Sequence, residues 1–278
     1  MLLLLKKSIA NSFTLLNLLF GFSAIVLIAL SFSENINYIQ SGCILIYIAA
    51  LVDVFDGKID RKLGTSGDFG KEIDSLADLV SFCLVPAFLI FYYFYDPYNN
   101  EGMNLEFQLL IILSSLPLLL GAIRLAKFNA YENQSKQNCY LGLPTPGNAL
   151  FICSMIFCMD KIFTNKRFLL SIDELNYFEW ICLPIQKILL ANEYSLLALC
   201  TISSILLISK VSYSKFPIFK GKLGKENFLS LIGLSIFFVI LIIGLLNKEY
   251  NNFILFFISY YIISGVFKWI LNIFNGDK

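Results

Sequence analysis

The chain has 278 residues, 58% of them hydrophobic and only 15% charged, with a mean hydropathy of +0.74. That balance lies outside the range of soluble domains and marks an integral membrane protein. A net charge of +1, with no basic tract, offers nucleic acid nothing to bind. Histidine is absent, which excludes catalysis through a histidine base, haem on a histidine ligand and zinc sites that use one. Chemistry must then fall to carboxylates, Lys, Arg or thiols. The seven cysteines, Cys43, Cys83, Cys139, Cys153, Cys158, Cys182 and Cys200, form no C-x-x-C pair and lie mostly in apolar runs. They read as small packing or lipid-facing residues.

In chain order, "MLLLLKKSIANSF" has its apolar run before the lysines and no small-residue cleavage site after it. It is expected to be an interfacial helix leading into the first span rather than a signal peptide. Apolar runs near the ~20 residues needed to cross a bilayer follow at about 13–32, 38–56, 75–95, 106–128, 146–160, 194–213, 227–247 and 251–271. The segment 160–193, with Pro184 and Lys187, is read as an amphipathic hairpin at the outer face. Eight spans put both termini on one side. With the termini inside, only Lys161, Lys166, Arg167, Lys187 and Lys248 of the 21 Lys and Arg fall outside, as the enrichment of cations in cytoplasmic loops requires. "FYYFYDPY" at 91–98 places aromatic rings at the outer interface. Both termini, and the acidic stretch described next, are therefore expected at the cytoplasmic face. No internal repeat or linker divides the chain, and residues 1–213 and 214–278 are read as a membrane domain and its C-terminal two-helix extension.

The stretch "LVDVFDGKIDRKLGTSGDFGKEIDSLADLV" at 51–80 is acidic against this background. Asp53, Asp56, Gly57 and Asp60 are offset by 3, 4 and 7 residues and share one helix face; Asp74 and Asp78, at i and i+4, share a face of the next helix. Two helices joined by "GTSGDFG" can thus aim four carboxylates at one another near the membrane boundary. A charge within a span costs about 2.5–3.5 kcal/mol on insertion scales before any mutual repulsion, so a positive partner is needed. Oxygen ligands without His or Cys indicate a hard cation, Mg²⁺, Mn²⁺ or Ca²⁺. Four of them suit two ions, as in two-metal phosphoryl transfer. Asp60, Asp68 and Glu72 fit better on a solvated face beside Lys58, Arg61, Lys62 and Lys71.

Asp53-x2-Asp56-Gly57-x3-Arg61-x8-Gly70-x3-Asp74-x3-Asp78 resembles the signature of the CDP-alcohol phosphotransferases, D-x2-D-G-x2-A-R-x8-G-x3-D-x3-D. The one departure is Asp60 at the alanine position. Within that family, "FTLLNLLFGF" (13–22), "GKEIDSLADLVSFCLVPAFLI" (70–90), "IRLAKFN" (123–129) and "GLPTPGNAL" (142–150) resemble the phosphatidylserine synthase branch. By itself "GLPTPG" is also what a turn opening a helix looks like.

The resemblance implies an all-α fold. Six helices form the core, with an N-terminal interfacial helix before it and two further C-terminal spans after it. It implies CDP-diacylglycerol and L-serine as substrates, the diphosphate on two Mg²⁺ or Mn²⁺ ions and the acyl chains among membrane lipids. Carried over by position, Asp53, Asp56, Asp74 and Asp78 are metal ligands, with Asp78 also the general base. Asp53, Gly57 and Arg61 face the cytidine diphosphate, with Thr65, Ser66 and Asn17 as further candidates; Asn17 reads equally well as a hydrogen-bonding link between helices. Arg124, Lys127 and Asn129 are candidates for the acceptor or a substrate phosphate, while Arg124 and Lys127 also read as cytoplasmic anchors. The protein is expected in the cytoplasmic membrane as a homodimer, with its active site facing the cytoplasm. The alternatives are a sister transferase using glycerol phosphate or inositol phosphate, and, in another class, a divalent-cation transporter. Fusion tags test the orientation: reporters at both the N- and C-terminus should register the cytoplasm, and an outer C-terminus would mean an odd number of spans.

Overall fold

The computed structural model describes residues 2–33, 38–63, 68–95, 105–131, 139–164, 193–214 and 250–274, with side chains over most of them. The expected span at 227–247 and most of the segment 160–193 lie outside the described residues.

The order is α1 (Leu2–Ser33), α2 (Ile39–Leu63), α3 (Asp68–Asp78), a π-helical turn (Leu79–Leu84), α4 (Val85–Phe94), α5 (Leu105–Tyr131), β1 (Cys139–Leu141), α6 (Thr145–Thr164), α7 (Glu193–Ile205) with a 3₁₀ turn (Leu206–Ile208), β2 (Ser212–Ser214) and α8 (Tyr250–Phe274). Among the described residues four helical stretches are long and apolar enough to cross a bilayer: Ser12–Ser31, Phe69–Phe94, Phe107–Ala130 and Asn251–Phe274. Three shorter apolar helices accompany them, Ile39–Phe55, Thr145–Met159 and Tyr194–Ile208. The chain is a multi-pass, helical membrane protein.

Three differences from the sequence reading stand out. The N-terminal stretch is not a separate interfacial helix but runs without a break into the first span as α1. The third span starts at Phe69 rather than near 75, because α3, the π turn and α4 follow one another without a loop. The sixth span ends at Ile208 rather than 213. There Ser209 turns extended, its amide N–H and hydroxyl both donate to the Leu206 carbonyl, and the chain goes into β2.

α6 is the centre of the bundle. It is in contact with α2, α4, α7, α8 and the π turn, and residues 151–159 are buried without interruption. A helix that is apolar all round has no side to offer lipid, so its burial follows from its sequence. Its Ile152 and Ile156 share one buried cluster with Ile28, Ile46, Phe82, Leu89, Ile90 and Leu196 from the surrounding elements. The last helix is tied to this centre by polar groups. Tyr47 on α2 donates to Asn251, Asn251 donates to the Ser154 carbonyl at 3.1 Å, and the Cys158 thiol lies 3.5 Å from the Asn252 amide oxygen. Cys43, Cys83, Cys153, Cys158 and Cys200 are buried free thiols, which bears out their reading as packing residues.

β1 and β2 form a two-stranded antiparallel ladder with Tyr140 opposite Tyr213. Gly142 N–H donates to Val211 O, just before β2, at 2.8 Å, and Leu143 N–H donates to Leu206 O in the 3₁₀ turn that ends α7 at 2.9 Å. Gly142 has φ 76, and a Cβ there would sit 2.2 Å from the Leu207 carbonyl oxygen. Both the left-handed backbone and the contact exclude a side chain. Gly142→Ala should therefore destabilise the protein by about 1–3 kcal/mol, seen as a lowered thermal midpoint in detergent. Gly147→Ala, whose Cβ meets nothing closer than 3.7 Å, should leave the midpoint nearly unchanged.

Candidate metal centre

The acidic stretch divides between two elements. α2 carries Asp53 toward its C-terminal end and α3 carries Asp74 and Asp78, and α3 passes directly into the π turn. One carboxylate oxygen from each of Asp53, Asp74 and Asp78 can be chosen so that the three lie within 4.8 Å of one another, Asp78 being the most enclosed. At an effective dielectric constant of about 20, two unit charges 4 Å apart repel by about 4 kcal/mol. Three ionised groups at this separation thus call for cationic charge among them. The donors are all carboxylate oxygens, the set that a hard divalent cation takes, so the arrangement fits the metal site read from the sequence. Asp56, Gly57 and Arg61 follow on α2, but their side chains, like Thr65 and Ser66 altogether, lie outside what the structure describes.

The neighbouring elements hold this trio in place. Asn17, buried on α1, donates from its amide nitrogen to Asp78 at 3.4 Å. The Ser81 hydroxyl donates to the Asn17 carbonyl at 2.9 Å, so α1 is bonded to both sides of the junction between α3 and the π turn. Gly21 makes that approach possible, since a Cβ there would lie 2.4 Å from the Ser81 hydroxyl oxygen. The Asn17 side-chain oxygen is enclosed and has no partner. On the opposite flank Asn129 of α5 exchanges hydrogen bonds with Ser75, the residue after Asp74, at 3.0 and 3.3 Å.

Arg124 and Lys127 part company. Lys127 is exposed, as an interfacial anchor would be. Arg124 is half-buried, lies within electrostatic reach of Asp78, Cys83, Tyr140 and Tyr261, and has an enclosed Nε without a hydrogen-bond partner. Sequence reasoning had missed Ser75, Ser81, Tyr140 and Tyr261. Ser75 and Ser81 carried a signal, since both lie within three residues of an aspartate of the motif; the tyrosines carried none, being 16 and 137 residues from Arg124 along the chain.

The match to known sequences falls on the same region. The family model for CDP-alcohol phosphatidyltransferase matches residues 7–191, a segment containing all three aspartates and their supports on α1 and α5. The chain belongs to the CDP-alcohol phosphatidyltransferase family. It is 28% identical to the CDP-diacylglycerol–serine O-phosphatidyltransferase of Helicobacter pylori (strain J99) over 272 residues, 96% of this chain and 95% of that one. It is 33% identical to the Methanocaldococcus jannaschii protein of the same name over 175 residues, 61% of this chain and 73% of that one. The archaetidylserine synthase of Methanothermobacter thermautotrophicus is 34% identical over 143 residues, half of this chain and 55% of its own length. As a member of this family of transferases, the protein brings Asp53, Asp74 and Asp78 of the D-x2-D-G…D-x3-D motif together where α2 and α3 converge.

Proposed function

We propose that the protein transfers the phosphatidyl group of CDP-diacylglycerol to the hydroxyl of L-serine and releases CMP. The observation that carries this is the convergence of Asp53, Asp74 and Asp78 near the partly buried guanidinium of Arg124, in a chain whose relatives are named for that reaction. Asp53, Asp56, Asp74 and Asp78 would hold two Mg²⁺ or Mn²⁺ ions. When bound, such ions neutralise phosphate oxygens and the charge that develops on a departing phosphate. The chain's own groups do the rest. Asp78 accepts the proton of the serine hydroxyl as its oxygen forms the new bond to phosphorus. The bridging P–O bond breaks, and CMP departs with the electron pair. Asn17 and Asn129 position the aspartates, through Asp78 directly and through Ser75. Gly57 and Arg61, with Thr65 and Ser66, would contact the cytidine diphosphate, the roles that the motif positions imply. Arg124 takes the acceptor.

An acceptor that itself carries a phosphate calls for several cationic groups, and of the two cations described on this part of α5 only Arg124 is enclosed, Lys127 being exposed. A cation path across the bilayer would need carboxylates along its length; among the described residues the acidic cluster sits where α2 ends and α3 begins. We read the protein as a homodimer in the cytoplasmic membrane with the site facing the cytoplasm, the orientation that the distribution of loop cations favours. CMP release by purified protein from CDP-diacylglycerol and a panel of alcohols tests the reaction, with L-serine expected to be the efficient acceptor.

Activity should require Mg²⁺ or Mn²⁺, and Asp56→Asn or Asp74→Asn should abolish it in protein that still elutes as a folded species in detergent. Full turnover in excess EDTA would sink the metal reading.

Asp78→Asn separates its two roles. A ligand alone can be compensated by mass action, so metal titration would restore turnover. Loss of a general base costs about 10²–10⁴-fold in rate. CMP release is therefore expected to stay at least about 100-fold down at saturating Mn²⁺, with CDP-diacylglycerol binding retained. Recovery to within a few-fold of wild type would leave Asp78 as a ligand only.

A further inference from the structure

The acidic site has two halves: Asp53 comes from α2, and Asp74 and Asp78 come from α3. Its grip on a cation depends on holding those helices at one height, because ligand distances tolerate only about 0.2 Å and one residue of slip along a helix is about 1.5 Å. Apolar faces alone supply little of that precision. In coiled coils a single buried asparagine is what selects one register among those that packing allows, and helices in lipid draw on interhelical hydrogen bonds in the same way. α8, which lies beyond the residues 7–191 that match the family model, carries such an asparagine. Asn251 is buried in the first turn of α8 and bonds two other helices at once. Its side-chain oxygen accepts from the Tyr47 hydroxyl of α2, and its side-chain nitrogen donates to the Ser154 carbonyl of α6 at 3.1 Å. That carbonyl belongs to the backbone and cannot follow a sliding neighbour by changing rotamer.

Each side of this link leads to one half of the site. Tyr47 precedes Asp53 by six residues on the same helix, about 9 Å along its axis. Asp53 follows Ile46, Ala49 and Ala50 at offsets of 7, 4 and 3 and so continues their buried stripe. α6, on the other side, contacts the π turn, which begins at the residue after Asp78. A displacement of α2 against α6 would therefore move Asp53 against Asp78. The next residue of α8, Asn252, makes a separate contact with Cys158 of α6 at 3.5 Å.

We propose that Asn251 is a positioning residue for the metal centre: through Tyr47 and Ser154 it fixes the register of α2 against α6, and with it the height of Asp53 relative to Asp74 and Asp78. The inference rests on the metal reading given above. It gives α8 a part in the reaction that is exerted entirely through the placement of α2.

Binding of Mn²⁺ to the purified protein in detergent, followed by electron paramagnetic resonance of the free ion, tests this alongside the Mn²⁺ dependence of CMP release. Asn251→Ala and Tyr47→Phe are each expected to raise the Mn²⁺ concentration for half-saturation about tenfold, the low end of what losing a group that orients metal ligands costs. The double variant should bind no more weakly than either single one, since both remove the same tie. Cys158→Ala removes the neighbouring contact between α6 and α8 and serves as the control: it should bind Mn²⁺ as wild type does, whatever its effect on the thermal midpoint. Tyr47→Phe keeps the ring and removes only the hydroxyl, so it gives the same reading should Asn251→Ala fail to fold. Unchanged Mn²⁺ binding in the Asn251 and Tyr47 variants, or an equal weakening in Cys158→Ala, would overturn the positioning role while leaving the metal reading intact. Wild-type protein that binds no Mn²⁺ would overturn the metal reading, and this inference with it.

Discussion

Repulsion among Asp53, Asp74 and Asp78 is the term to which the rest of this structure answers. Three carboxylates with oxygens inside 4.8 Å push α2 and α3 apart, and an apolar surround strengthens that force by lowering the local dielectric. The bundle opposes it from several sides. α1 packs along α2 and bonds across the end of α3 through Asn17 and Ser81. α5 grips α3 through Asn129 and Ser75. Arg124 supplies a positive charge near Asp78. The π turn starts at Leu79, directly after Asp78. Such turns add a residue to the helical repeat and recur at functional sites; here it changes the face on which everything after Asp78 falls, so Ser81 meets α1 while Phe82 and Cys83 enter the core.

A second feature is the placement of polar groups away from the carboxylates. Lipid gives helices no hydrophobic reason to associate with one another, so small residues and interhelical hydrogen bonds take a larger share of specificity than in water. Asn251 and Asn252 bind α8 to α2 and α6, and Gly21, Gly121 and Gly265 let neighbours approach where a methyl group would collide. The last helix is thus built into the bundle around α6. That same docking brings Tyr261 to the region of Arg124, linking the packing of the core to the geometry of the site.

Much was legible in the residues alone. Mean hydropathy and run lengths require membrane helices, because unpaired backbone groups cannot be left in hydrocarbon. Spacings of 3 and 4 put Asp53 with Asp56 and Asp74 with Asp78 on common faces whatever the tertiary fold, since the helical repeat is a local property. "GLPTPG" also reads as a turn that opens a helix, and Gly142 with φ 76 followed by α6 at Thr145 is that turn. The family, too, was contained in a motif whose residues are close in sequence.

What remained for the tertiary structure was everything set by contacts between distant segments. Periodicity gave no reason for α1 to continue unbroken through its lysines, for a π turn at Leu79, or for a strand after Ile208, because each depends on what the neighbouring element presents. Asn17 reads from the sequence as a link between helices or as a ligand contact, and only the placement of α1 against α3 shows its amide nitrogen bonded to Asp78. Arg124 and Lys127 were equivalent in sequence, three residues apart on one helix; only packing buries one and exposes the other. The meeting of Tyr140, Tyr213 and Tyr261 could not be read from the chain at all, since a ladder register and a helix contact bring them together from three separate segments. Local spacing decides which side chains share a face, and only packing between elements decides what that face meets.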